Sequence, residues 1–137
     1  MVQFTNKLVV IVNKDIEIGV AMNAVAHASL AIGALLGKEA MFLQDYKDAS
    51  GNVWPMSGMP YIVLRGKSGE IRKAIAAAQE ANILHHAFTE TMTSGGYEEQ
   101  LVRTAQVQQD DHHYYAAVLW GPWETVSQVS RRFSLYK

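Results

Sequence analysis

Cysteine is absent from the 137 residues, which removes disulfides, thiolate metal sites and a cysteine nucleophile together. An excess of either charge is missing too, since twelve Lys and Arg stand against thirteen Asp and Glu for a net charge of −1. A dedicated nucleic-acid binder carries a basic surplus, so any RNA contact here is confined to a local patch. No basic, apolar, small-residue leader opens the chain, and the expected location is cytoplasmic. Repeats, low-complexity tracts and long charge blocks are lacking, so nothing marks a tail or linker. The whole chain, 1–137, fits one domain able to bury roughly two thirds of its unfolded surface. No Gly-x-Gly-x-x-Gly or phosphate-binding loop follows a strand pattern, and no Gly-x-Ser-x-Gly elbow occurs, so no cofactor is expected.

What is present is concentrated between Lys7 and Gly37. Leu8 to Val12 are five aliphatic residues, four of them β-branched, the run that a strand covered on both faces needs. Asn13-Lys14-Asp15 breaks the pattern, and Asp15 or Glu17 offers a carboxylate to the free N–H groups of a following helix. From about Ile18 to Leu36 the chain is apolar nearly all round and rich in Ala and Gly, which predicts a central helix. Asn23, His27 and Ser29 interrupt it and Glu17 and Lys38 bound it closely, so a membrane span is not expected. Asn23 and His27, at i and i+4, share one face of that helix. They either line a cleft or are satisfied in the core.

Beyond the helix, Asp48-Ala-Ser-Gly-Asn52 is a run of turn formers, with Val53 and Trp54 as the return arm of a hairpin or loop. Pro55 and Pro60 rule out a central strand around Met56 to Met59. Tyr61 to Leu64 predicts a second buried strand and Ser68 the N-cap of a helix over 69–81. Leu84 to Met92 predicts a third strand, and 97–107 a short amphipathic helix. Gln108 to His113 reads as a solvated turn. Its adjacent histidines point to opposite faces and no His-x-x-x-His spacing occurs, so no metal is expected. Tyr114 to Trp120 predicts a fourth strand, and Pro122 opens a last helix. The alternation predicts an α/β three-layer sandwich with a mostly parallel or mixed sheet of about four strands.

Lys7-Leu-Val-Val-Ile-Val, Asp15, Gly19, His27-Ala28, Tyr61-Ile-Val-Leu and Val118-Leu-Trp-Gly-Pro122 together resemble the type 2 peptidyl-tRNA hydrolases. They are still more similar to a bacterial family of unknown function that shares that fold. The resemblance implies a peptidyl-tRNA hydrolase II-like domain, with the ligand-facing end of the helix at Lys14, Asp15 and Gly19. In the hydrolases Gly-Lys opens the helix, and a Gln and a His face the cleft. Here Gly19 and His27 match, but the Lys position is Val20 and the Gln position is Ala24. The hydrolases' Asp-Ala-Gly segment with its nearby Thr falls on Thr89 to Thr93, so Glu90 or Thr93 has to substitute. Ester hydrolysis needs an activated water and a donor or cation for the developing oxyanion, and Val20 is neither.

The reading that follows is a small-ligand-binding or dimerisation module without the hydrolase reaction. The competing reading is a hydrolase with His27 as general base, Asn23 as orienter and Glu90 or Thr93 across the cleft. A third uses Lys14, Arg65, Lys67, Arg131 and Arg132 as one RNA-binding patch. Aromatic residues at Trp54, Trp120 and Trp123, with the apolar Met-rich segment, predict a homodimer.

Overall fold

The computed structural model describes residues 2–137. The aliphatic run becomes strand β1 (Asn6–Asn13), buried from Leu8 onward, and leads into helix α1 (Ile18–Ala40). Strands β2 (Leu43–Lys47) and β3 (Val53–Ser57) form a hairpin arm. There follow β4 (Tyr61–Gly66), α2 (Ser68–Glu80), β5 (Leu84–Thr89), α3 (Tyr97–Ala105), β6 (Tyr114–Pro122), α4 (Trp123–Ser130) and β7 (Ser134–Leu135). Short 3₁₀ turns at Glu90–Met92 and Gln109–Asp111 flank α3.

Five strands make one mixed sheet in the order β5-β6-β1-β4-β7, and β2-β3 form a separate two-stranded sheet. β1 is central, parallel to β4 and antiparallel to β6, with Val10 opposite Val63 on one side and Val118 on the other. β5 is antiparallel to β6 and therefore runs with β1 and β4. The expectation of about four strands missed β7, because two residues are too few to show a period. Pro55 sits in β3 opposite Asp45, in a sheet with no third strand, where its missing N–H leaves no ladder broken.

Each sheet face has its own core. Val9, Ile11, Ile71, Ile75, Leu119 and Val126 fill the α2 and α4 side, each fully buried aliphatic side chain contributing about 1.5–3 kcal/mol. On the other side Leu8, Val10, Val12 and Val118 meet α1 through Ala21, Ala24, Ala28 and Ile32. Alanines at that spacing let the helix backbone lie close to the sheet.

Three expectations are corrected. α1 is not central: only that alanine stripe is buried, and Ile18, Met22, Leu30 and Leu35 are exposed. No carboxylate caps it, for Glu17 makes no side-chain cap bond and Asn13 Oδ1 accepts from the Asp15 N–H instead. Ser68 is likewise not the cap of α2. Lys67 holds that position, Glu70 accepts its N–H, and the Ser68 hydroxyl accepts from the N–H of Tyr114. Gly37, at φ 82° and ψ 177°, breaks the last turn of α1 and turns the chain toward the arm. An L side chain rarely adopts that conformation.

Candidate functional site at the carboxyl edge of the sheet

Because β1, β4 and β5 run the same way, their carboxyl ends share one edge, which also receives the start of β6. In sheets of this kind that edge is where ligands bind. Asn13 ends β1 there, 1% exposed, and the Lys14 N–H donates to the Gly66 carbonyl at the end of β4. Glu90 leaves the end of β5, and its N–H donates to the His113 carbonyl just before β6.

The side chains continue that link. His113 Nδ1 lies 3.0 Å from Glu90 Oε2, and His113 Nε2 lies 3.4 Å from Asn13 Nδ2. With Glu90 ionised, Nδ1–H donates to it, and Nε2 turns its lone pair toward the asparagine amide. The same amide donates to the Tyr114 carbonyl at 2.8 Å, and Asn13 Oδ1 accepts from the Asp15 N–H at 2.8 Å. Asn13 is thereby fixed at both ends. The His113–Glu90 pair beyond it is open to solvent, with 47% of the His113 side chain and 60% of that of Glu90 exposed.

A bulge shapes the wall of this site. The pairing of β5 with β6 shifts between Phe88 and Thr89, opposite Ala116 and Tyr114, so Tyr115 is the extra residue. Such a bulge re-aims side chains. Tyr115 packs with the α1-side core, and its ring stands edge-on to His113 at 5.1 Å. Partial burial, and then the Glu90 carboxylate, push its hydroxyl pKa up. Behind Glu90 a threonine ladder ties the edge to α3: Thr89 Oγ1 to Thr91 Oγ1 at 2.8 Å, and Thr104 Oγ1 donating to Thr91 Oγ1 at 2.9 Å. Arg103 Nε donates to the Thr91 carbonyl.

The residues picked from sequence fall around this site without all joining it. His27 is exposed on the third turn of α1 and stacks on Phe88, two residues before Glu90. Asn23 is exposed one turn earlier, and among the described residues neither it nor His27 hydrogen-bonds Glu90. Thr93 turns its hydroxyl to the Glu90 carbonyl, closing the 3₁₀ turn. Lys14, Asp15 and Gly19 lie on the loop and first turn beside Asn13. Arg131 and Arg132 line a different cleft, of about 270 Å³, with Lys73 between α2 and α4. No three His, Asp or Glu among the described residues gather as a metal site.

Sequence reasoning missed Asn13 and His113. The signal for the first was an asparagine closing a wholly aliphatic strand, where a buried amide needs partners on both sides. His113 had no local signal. Its partners are 23 and 100 residues away.

The model of the family described as "Protein of unknown function (DUF2000)" matches residues 6–137. A solved structure of a protein of unknown function from Agrobacterium tumefaciens strain C58 has a TM-score of 0.89 with this chain. It covers 98% of this chain and 100% of its own at 22% identity, a likeness that shows the fold. No curated protein matches the sequence.

Proposed function

The chain belongs to DUF2000, a family of proteins of unknown function, and within it we propose a small-ligand-binding module on a type 2 peptidyl-tRNA hydrolase-like scaffold, without the hydrolase reaction. The reading takes residues 1–137 as one cytoplasmic domain. The observation that carries it is the environment of Glu90. Among the described residues its side-chain partner is the imidazole of His113, with no Lys or Arg within ion-pair distance. Val20 occupies the position at which the resemblance calls for a lysine. Losing an aligned donor or cation at a developing oxyanion typically costs about 10²–10³ in rate.

What the edge offers instead is recognition. An open carboxylate held by an imidazole, a tyrosine hydroxyl beside it and a fixed amide behind suit a small polar ligand bearing N–H or O–H donors. His27 and Asn23, on the adjoining flank of α1, would contact the far side of such a ligand. Purified protein incubated with peptidyl-tRNA is expected to clear it no faster than a protein-free control. Clearance abolished by His27→Ala would overturn the reading and establish the hydrolase. One observation favours that competing reading: the His27 imidazole is reachable from solvent.

A further inference from the structure

Glycine inside a helix is destabilising unless something needs the missing side chain. Gly33 lies within α1, in its regular part, and a Cβ built there meets nothing within 4 Å. The same holds for Gly19 in the first turn. Nothing in the isolated chain asks for either. On the helical spacing both fall on the outward face with Met22, Ala26 and Leu30, where Met22 is 66% exposed and Leu30 71%. From Ile18 to Gly37 this helix carries no Asp, Glu, Lys or Arg. Beside it, α1 leaves the β4 half of its sheet face uncovered. There an apolar groove of about 340 Å³ is lined by Val12, Ile18, Met22, Val25, Val63 and Tyr136.

Large apolar and small residues are spaced alike on either side of Ala26 along the outward face. Met22 and Leu30 stand four residues to either side of Ala26, and Gly19 and Gly33 stand seven to either side. A two-fold axis through Ala26 therefore packs α1 antiparallel on a second α1, with Met22 against Leu30 and Gly19 against Gly33. In that pairing each large apolar side chain meets another and each glycine meets a glycine, as an isologous interface allows.

We propose that the outward face of α1, centred on Ala26, is the interface of a homodimer, and that the glycines are there to let two helices approach. Small residues at a crossing bring helices to the near end of the usual separation of about 8–10 Å. Ile18, Met22 and Val63 line one groove and with Leu30 are exposed, apolar surface of the kind that marks an interaction site when it reaches a few hundred Å². The hairpin arm leaves its own α1 at the carboxyl end, which in this pairing is the partner's groove end. Its exposed Tyr46, Trp54 and Met56 offer a partner further apolar surface toward the roughly 800 Å² per side of a stable complex. The groove lies on the flank of α1 opposite His27, so Glu90, His113 and Tyr115 at the sheet edge stay open. Gly19 and Asn23 fall within or beside this face on the helical spacing, so the inference is independent only of the Glu90–His113 pair.

The cysteine-free chain permits a direct test. At a close helix crossing the Cα atoms of two residues on the axis come within about 4–6 Å, inside disulfide reach. Ala26→Cys is expected to oxidise to a covalent dimer, whereas Lys73→Cys, on the opposite layer, is not. Sedimentation of the unmodified protein is expected to show a dimer. Met22→Glu and Leu30→Glu, at exposed positions and checked for folding by circular dichroism, should each weaken it at least tenfold. A monomer at every concentration would overturn the proposal. So would a dimer indifferent to both glutamates and uncrosslinked at position 26. Capture of the monomer by phosphatidylcholine–phosphatidylglycerol vesicles through the same two residues would overturn it in favour of a membrane.

Discussion

The imidazole of His27 lies nearly parallel to the ring of Phe88, 21° between planes and 5.4 Å between centroids. That stack is the bond between the middle of α1 and the end of β5, two residues from Glu90. A stacked aromatic pair contributes about 0.5–1.5 kcal/mol beyond burial. His27→Ala is expected to lose about that much by urea denaturation, while the His113 ring signals stay in place in NMR spectra. Phe88→Ala, which empties a core position, should cost about 3–5 kcal/mol. Movement of the His113 signals in His27→Ala would mean that the two imidazoles belong to one network.

Asn13 makes the second prediction. Its amide satisfies the Tyr114 carbonyl, and its oxygen takes the Asp15 N–H. Removing it orphans the buried Tyr114 carbonyl, worth about 1–3 kcal/mol, and leaves the N–H of the exposed Asp15 to water. Asn13→Ala is expected to destabilise by about 1–3 kcal/mol and to speed exchange of the Asp15 amide. A loss under about 1 kcal/mol would show that water replaces the side chain at no cost.

Tyr61 sets the alkaline limit. Burial pushes its hydroxyl above the ordinary value of 10.0, against the hydrogen bond with Ser29 Oγ at 2.8 Å, which favours the charged form. A folded pKa above the unfolded one means the fold prefers the protonated tyrosine. That contribution is complete below pH 10 and is lost as pH rises through the folded value. Tyr61→Phe is expected to lose about 0.5–1.5 kcal/mol at neutral pH and to unfold less steeply above pH 10 than the parent. Denaturant midpoints at neutral and alkaline pH measure both.

Much of this architecture is legible in the residues, and the exceptions have a common cause. Leu8 to Val12 and Tyr114 to Trp120 announce strands because a doubly covered strand must be aliphatic or aromatic throughout, and Tyr61 to Leu64 reads the same way although Val63 of β4 is left exposed. β7 could not be read, since Ser134 and Leu135 are strand only because Leu64 and Arg65 lie beside them. The apolar circumference of α1 reads as a central helix, yet its outer half meets nothing within the chain. Composition tells that a surface is to be covered, not by whom. The site divides the same way. His27 was found from its spacing with Asn23 and Glu90 through family resemblance, while the pairing of Glu90 with His113 depends on a turn, a bulge and two strands meeting. No local pattern encodes that.

The arm has its own switch, at acid pH. Asp48 accepts from the Ser50 and Asn52 N–H groups, the Asn52 side-chain amide and the Trp54 indole. The bonds from Asn52, then the indole, hold its carboxyl down to about 2 from an ordinary 3.8. A depressed pKa stabilises the folded tip above pH 3.8, and that support is lost as pH falls through about 2. The Trp54 indole N–H and the Ser50 amide are expected to lose their shifted NMR positions together in that window, with the main sheet unchanged. Asp48→Ala should place the same signals at their free positions at neutral pH. An arm unchanged by Asp48→Ala would mean that strand pairing alone sets it.

Gly33 separates the stability of one copy from the association of two. If its surroundings are open, as a Cβ meeting nothing within 4 Å implies, Gly33→Ala should stabilise the monomer by about 1 kcal/mol through helix propensity alone. If a second helix crosses there, the added methyl pushes the two apart. The same variant then gains in unfolding experiments at high dilution and dissociates more readily at high concentration. A Gly33→Leu variant should carry the second effect to completion, leaving a folded monomer. A surface with no partner predicts the first gain without the second loss. Unfolding midpoints across a dilution series therefore distinguish a glycine kept for a neighbour from a glycine kept for nothing.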